Sequence, residues 1–331
     1  MVKNNFYKNK AILVTGGAGS IGSEIIRKLL SLDPKSVRAF DNNETGLFDL
    51  KQELPSEKLR LLIGDVRDKR RLIRATEEVD IIFHAAALKH VLLCEHNPFE
   101  AVQTNVVGTQ NVIDAALNNE VEKMINISTD KAVNPVNVMG ATKLLTERLV
   151  NAACYYKGKR KTVFASVRFG NVLNSRGSVI PLFHQQIRQG GPMTITNKKM
   201  TRFIMSIPRA VDLVLKTAEI SKGGEIFILK MPLARISDLI EVMIKELAPR
   251  YGYKPEQIRI KVIGERIGEK LEEELITKDE LKKAHETKDI VTILNGDKNN
   301  DKERGILPVK DSFLSHPRLL TKKEIRKLLN Y

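Results

Sequence analysis

The stretch Ala11-Ile12-Leu13-Val14-Thr15-Gly16-Gly17-Ala18-Gly19-Ser20-Ile21-Gly22 decides the fold. Its first four residues are apolar, as in a strand covered on both faces, and the run then breaks into glycine. From Ile21 to Leu30 apolar residues recur at three- and four-residue spacing, which predicts an amphipathic helix. A glycine-rich turn between strand and helix lets the backbone approach a pyrophosphate and aims the helix N-terminus at its charge. Alone the glycine spacing is weak, because three glycines can serve only a tight turn. Context strengthens it. A second strand, Val37 to Phe40, ends at Asp41, 19 residues past Gly22, where a carboxylate meets the ribose hydroxyls of a dinucleotide. Asp65 and Val66 follow a third strand, Leu59 to Ile63, and are placed for the adenine edge. Asp41 would repel a 2′-phosphate and Asn42 and Asn43 are neutral, so NAD is expected rather than NADP.

Outward from this unit the alternation repeats. Further strands are expected at Asp80 to Phe83, Lys123 to Ile127 and Thr162 to Val167, with helical spacing at Thr104 to Leu117 and Thr142 to Ala153. Repeated strand and helix imply an α/β fold, a Rossmann-type doubly wound parallel sheet. Residues 8–168 are assigned to an NAD-binding domain whose last elements can return after residue 200. Residues 169–331 form mainly a smaller C-terminal α/β substrate lobe with a basic end. Within that half, helices are expected at Pro208 to Ile220, Ile236 to Glu246 and Thr321 to Leu329, a strand at Glu225 to Leu229, and an exposed loop at Asp297 to Arg304.

Composition narrows the function classes. The 331 residues are 42% hydrophobic and 29% charged, which fits an ordinary globular protein and excludes disorder as the dominant state. Uncharged stretches such as Ala11 to Ser23 fall short of the roughly 20 apolar residues a membrane-spanning helix needs, and no signal sequence is apparent. A cytoplasmic protein without a membrane span is expected. Cys94 and Cys154 lack metal-ligand spacing, as do His84, His90 and His96, so no metal site is expected. The net charge of +15 is uneven: residues 1–150 balance at +1 and residues 151–331 at +14. An anionic small molecule suits that asymmetry. Nucleic acid does not, because the basic residues are dispersed, Trp is absent and only 5% of residues are aromatic.

Finer motifs carry a family resemblance. Gly16, Gly19 and Gly22, with His84-Ala85-Ala86-Ala87, Asn105 and Lys143, resemble an extended short-chain dehydrogenase/reductase. Ala85-Ala86-Ala87-Leu88-Lys89-His90-Val91, Ser128-Thr129-Asp130-Lys131-Ala132 and Met139-Gly140-Ala141-Thr142-Lys143 resemble the UDP-N-acetylglucosamine 4,6-dehydratases of polysaccharide and flagellin-sugar biosynthesis. The likeness runs from Lys10 to at least Leu275. It implies a homo-oligomeric lyase acting on UDP-N-acetylglucosamine or a related UDP-sugar. It also implies that Gly16, Gly19, Ser20, Ile21, Gly22, Asp41, Asp65, Val66, Ala85, Ala86, Lys89, Asn105 and Lys143 hold the cofactor.

Removing water across C5 and C6 of a hexose demands a ketone at C4 first, because only then is the C5 proton acidic. One nicotinamide can oxidise C4 and later reduce C6. By the resemblance Thr129 hydrogen-bonds the C4 oxygen, Asp130 is the acid at C6, Lys131 the base at C5, and Lys143 holds the nicotinamide ribose. Lysine serves as a base only if burial or a nearby cation lowers its proton affinity. Met139 stands where the wider family has tyrosine, and a thioether takes no proton. Asp130, or Lys143 through the ribose or a water, is left to start C4 oxidation.

For the substrate, the resemblance extends to Lys89, Asn171, Ser178, Val179, Thr194, Thr196 and Arg202, with Arg266 for the diphosphate and Glu269 for the uridine ribose. Guanidinium groups bind phosphate oxygens in pairs, which suits a basic second half. Two other functions compete. A UDP-sugar 4-epimerase would have no use for an acid–base pair at C5 and C6, and a scaffold without turnover would not need Asp130, Lys131 and Lys143 together.

Overall fold

The computed structural model describes residues 5–294 and 317–331. The expected loop at Asp297 to Arg304 lies outside them. Six strands alternate with helices through the first half: β1 (Ala11–Thr15), β2 (Ser36–Asp41), β3 (Leu59–Ile63), β4 (Ile81–His84), β5 (Lys123–Ile127) and β6 (Val163–Arg168). Strands β1, β4, β5 and β6 are buried along nearly their whole length, as parallel strands covered on both faces must be. Adjacent side chains of β1 go to opposite faces. Ile12 and Val14 join the core that includes Ile25, Ile26 and Val214, and Leu13 joins the one that includes Ile82, Val112 and Phe164.

Among the described residues eight further strands follow: β7 (Asn171–Val172), β8 (Met193–Ile195), β9 (Thr201–Met205), β10 (Glu225–Leu229), β11 (Leu233–Arg235), β12 (Ile260–Val262), β13 (Ala284–Glu286) and β14 (Ile290–Leu294). The main sheet has nine strands in the order β13-β14-β10-β6-β5-β4-β1-β2-β3. Its stretch from β3 to β10 is parallel, and β13 and β14 add an antiparallel margin. The order β3-β2-β1-β4-β5-β6 is that of a Rossmann fold, with its topological switch between β1 and β4. The chain thus returns to the main sheet after residue 200. Glu-Ile-Phe-Ile-Leu in β10 is buried at every position, so it needs cover on both faces and is met inside the sheet, beside β6. What remains outside is a small lobe whose own core contains Ile180, Phe183, Ile240 and Leu247 and which carries the sheets β11-β9-β7 and β12-β8. The terminal helix Lys322–Leu328 packs there, its start closed by a capping box of Thr321 and Glu324.

Candidate active site

A cleft of about 570 Å³ opens at the C-terminal ends of β1, β2, β4 and β5, where open α/β sheets bind ligands. One end is built from the glycine turn. Gly16 has φ of +68°, and a Cβ on it would lie 2.6 Å from the Ala86 nitrogen, so the turn and the segment after β4 touch backbone to backbone. A Cβ on Gly22 would lie 2.1 Å from the Gly16 carbonyl oxygen. Helix Ser20–Leu30 therefore starts tight against the turn, and no side chain caps its first N–H groups. At the tip of β2, the Asp41 carboxylate accepts from the Ala18 and Asn43 N–H groups at 3.0 and 2.9 Å. Asp65 sits beside it, and its pairing with Arg67 at 2.7 Å holds its carboxyl below the usual range.

A second wall folds over from the lobe. Arg176 donates its N–H to Ser20 Oγ and its guanidinium to the Ala18 carbonyl, while Lys89 Nζ donates to the Arg176 carbonyl at 2.8 Å. Burial pushes the Lys89 ammonium down in proton affinity. Asn171 Oδ1 and Ser178 Oγ are buried in this wall without a partner among the described residues, and both residues line the cleft.

The other end gathers the ionisable groups of the β5 tip. At the tip of β5, Thr129 Oγ1 donates to Asp130 Oδ1 at 2.9 Å, and Lys131 Nζ donates to the same oxygen at 3.0 Å. Asp130 is fully buried, and its Oδ2 has no partner among the described residues. Lys131 differs from the sequence expectation. Burial pulls its proton affinity down, but Asp130 and Glu273, the latter 3.1 Å away, outweigh burial and the repulsion of Arg202, so the net displacement is upward. Lys143 behaves the opposite way. Burial lowers it to about 8 against the opposing pull of Glu147, and its Nζ donates to the Ile127 carbonyl at 2.5 Å. Met139 lines the cleft and packs with Cys94 and Ala101.

Most residues expected from sequence meet in this cleft: Gly16, Gly19, Ser20, Ile21, Gly22, Asp41, Asp65, Val66, Ala85, Ala86, Lys89, Thr129, Asp130, Lys131, Met139, Lys143, Asn171 and Ser178. Asn105 does not line it. It sits in a π-helical turn, Val102–Val107, and clamps the loop after β4 through both backbone groups of Leu88, with a further bond to Thr142. Val179, Thr194, Thr196, Arg202, Arg266 and Glu269 also stand outside the cleft lining. The Arg202 guanidinium is occupied by the carbonyls of Thr201, Lys270 and Leu271, so its charge braces backbone. Thr194 Oγ1 accepts from Gln186, Thr196 Oγ1 donates to Met200 Sδ, and Arg266 is exposed.

Several roles escaped the sequence reading. Arg168, fully buried at the end of β6, grips Glu147 through two bonds of 3.1 and 2.7 Å and Glu280 through two of 3.0 Å. Burial disfavours its charge, but the two carboxylates outweigh burial and raise its proton affinity. Glu147 in turn accepts from Ser128 Oγ. His84 is locked between Thr15 and Thr109 hydroxyls, and burial drops its pKa to about 3, so it is a neutral structural link. An arginine closing the apolar run of β6 was the signal the sequence held for this network.

The model of a family described as polysaccharide biosynthesis proteins matches residues 12–295. The chain belongs to this family. A relative from Methanocaldococcus jannaschii, an uncharacterised membrane protein by name, is 62% identical over 330 residues, covering 98% of this chain and 97% of the relative. Among the described residues here, no helix is long and apolar enough to cross a membrane. A family relative named UDP-glucose 4-epimerase from Rickettsia rickettsii is 41% identical, covering 98% of this chain and 96% of its own length. Among solved structures, Pen from Bacillus thuringiensis is 44% identical with a TM-score of 0.91, covering 98% of this chain and 99% of that one. The family match thus spans the glycine turn, the β5 motif and the margin strands alike.

Proposed function

We propose that this chain is a nucleotide-sugar enzyme of the dehydratase/epimerase kind, and within it a UDP-N-acetylglucosamine 4,6-dehydratase that works with resident NAD. The observation that carries the finer reading is the pair at the tip of β5, the buried Asp130 with one oxygen unpartnered among the described residues and the half-buried Lys131 bonded to its other oxygen, facing the same cleft as the glycine turn. The residues fit the dinucleotide. The uncapped helix start and Gly16, Gly19 and Gly22 suit its pyrophosphate, Asp41 one ribose, and Lys143 the other. When bound, NAD supplies reversible two-electron chemistry, accepting from C4 and returning to C6.

The chain's own groups handle the protons. With Met139 in place of an acid–base residue, Thr129 accepts the C4 hydroxyl proton and passes its own to Asp130 Oδ1 along the 2.9 Å bond. Asp130 is then a carboxylic acid. Lys131 as free amine takes the C5 proton, Asp130 gives its proton to the C6 hydroxyl, and that oxygen leaves as water. Lys131 returns its proton to C5 as C6 is reduced. The water thus carries away the C4 hydroxyl proton, and Asp130 and Lys131 end as they began.

A second reading, UDP-sugar 4-epimerase, has the name of the Rickettsia relative in its favour. NMR of the product formed from UDP-N-acetylglucosamine in deuterated water separates them. A 4-keto-6-deoxy sugar nucleotide, formed without added nicotinamide and labelled at C5, is expected; the unlabelled C4 epimer as the only product would overturn the dehydratase. Gly22→Val tests the cofactor seat. Its side chain would meet the Gly16 carbonyl, where even a Cβ stands 2.1 Å away, so NAD affinity measured by calorimetry should fall on the order of 100-fold, about 2.7 kcal/mol.

A further inference from the structure

The dehydration proposed above leaves one requirement unmet: Lys131 must become an amine at C5, yet it sits between two carboxylates. Asp130 alone would balance its charge. The second carboxylate, Glu273, has only 2% of its side chain exposed, places Oε1 3.1 Å from Lys131 Nζ, and leaves Oε2 buried without a partner among the described residues. A surplus buried carboxylate is costly, and packing alone does not call for it.

Its placement is imposed from both sides. Upstream, Lys270 Nζ donates to the Val133 carbonyl at 2.9 Å, just past the catalytic turn, and Arg202 holds the carbonyls of Lys270 and Leu271. Downstream, Asn134 donates to Glu274, and the buried Arg168 holds both the Leu275 carbonyl and Glu280. The segment carrying Glu273 is thus moored to the ends of β5 and β6. The charged groups acting on Lys131 are Asp130, Glu273 and Arg202.

We infer that Glu273 is a positioning residue that takes the proton of Lys131 and gives it back. This rests on the dehydratase reading. In the transfer a Lys131 N–H bond breaks and an O–H bond forms on Glu273, leaving the nitrogen lone pair for the C5 proton. After C5 is reprotonated from Lys131, the Glu273 proton returns to the amine. Asp130 meanwhile stays free to receive the C4 hydroxyl proton. Because the proton moves within the group, its net charge is unchanged and no proton need be lost to solvent.

The test is the pH dependence of kcat and of C5 deuterium exchange for Glu273→Gln, which keeps shape and removes the acceptor. The parent should be nearly flat through neutral pH. In the variant Lys131 must lose its proton to solvent, so both rates should be low near neutral pH and climb about tenfold per pH unit. Glu273→Asp should restore the flat shape at reduced height, which also covers the case that the Gln variant does not fold. Profiles for Gln and Asp parallel to the parent, lowered by one factor at every pH, would overturn the proton role, as would an unchanged rate in Gln. A parent that makes no 6-deoxy product and exchanges nothing at C5 would instead overturn the dehydratase reading, and Glu273's role with it.

Discussion

Asp130→Asn should stop the reaction before the sugar is oxidised. An amide cannot accept the proton that Thr129 Oγ1 now directs at Asp130 Oδ1 over 2.9 Å, so the C4 hydroxyl keeps its proton and its electrons. Loss of one positioned proton acceptor costs on the order of 10²- to 10⁴-fold in rate. With substrate in single-turnover mixing, no absorbance of reduced nicotinamide should develop, and C5 should not exchange with deuterated water. Side-chain volume is kept, so circular dichroism should match the parent. Rapid appearance of reduced nicotinamide in this variant would remove Asp130 from the oxidation step. Lys143, whose proton affinity burial has brought to about 8, would then be the acceptor, by way of the ribose or a water.

Lys131→Ala should fail later and look different. The C4 proton still has its route through Thr129 and Asp130, so reduced nicotinamide should rise within one turnover and persist. The ketone then has no base at C5. Exchange at C5 should fall by on the order of 10²- to 10⁴-fold, and no 6-deoxy product should form. Undiminished exchange would show that another group, with Glu273 the nearest candidate at 3.1 Å from the lost ammonium, is the base. The pair of variants therefore divides the reaction at the ketone.

What sequence could supply here follows from how local each feature is. Gly16, Gly19, Gly22 and Asp41 act within one strand–turn–helix–strand unit, and Thr129, Asp130 and Lys131 are consecutive, so their chemistry is written side by side. The doubly wound parallel sheet was legible for the same reason, each strand announcing itself by a short apolar run. Glu273 and Arg168 were not, because their meaning lies in partners such as Lys131 and Glu280, more than 100 residues away along the chain. Lys131 shows a subtler gap. Burial could be guessed from its position, and Asp130 stands next to it in sequence, but the further upward pull of Glu273 comes from a distant segment that no local pattern reveals. Arg202 was expected, by the resemblance, at the substrate. In a short strand beside an irregular segment it became the donor that satisfies three carbonyls instead.

The order of the main sheet also bears on how this gene can be cut. Strand β10 lies between β6 and the antiparallel margin of β14 and β13, and it is contributed from beyond residue 220. A fragment ending at Arg168 would retain the whole glycine turn and the whole β5 motif, yet it would bare the inner edge of β6 and part Ala165 and Val167 from core residues such as Val214 and Phe227. Such an edge pairs with whatever strand it meets. The first half of this chain is accordingly not a portable module: fusion, truncation or exchange of lobes has to carry the late strands along, because the chain's final third finishes the sheet that its first third begins.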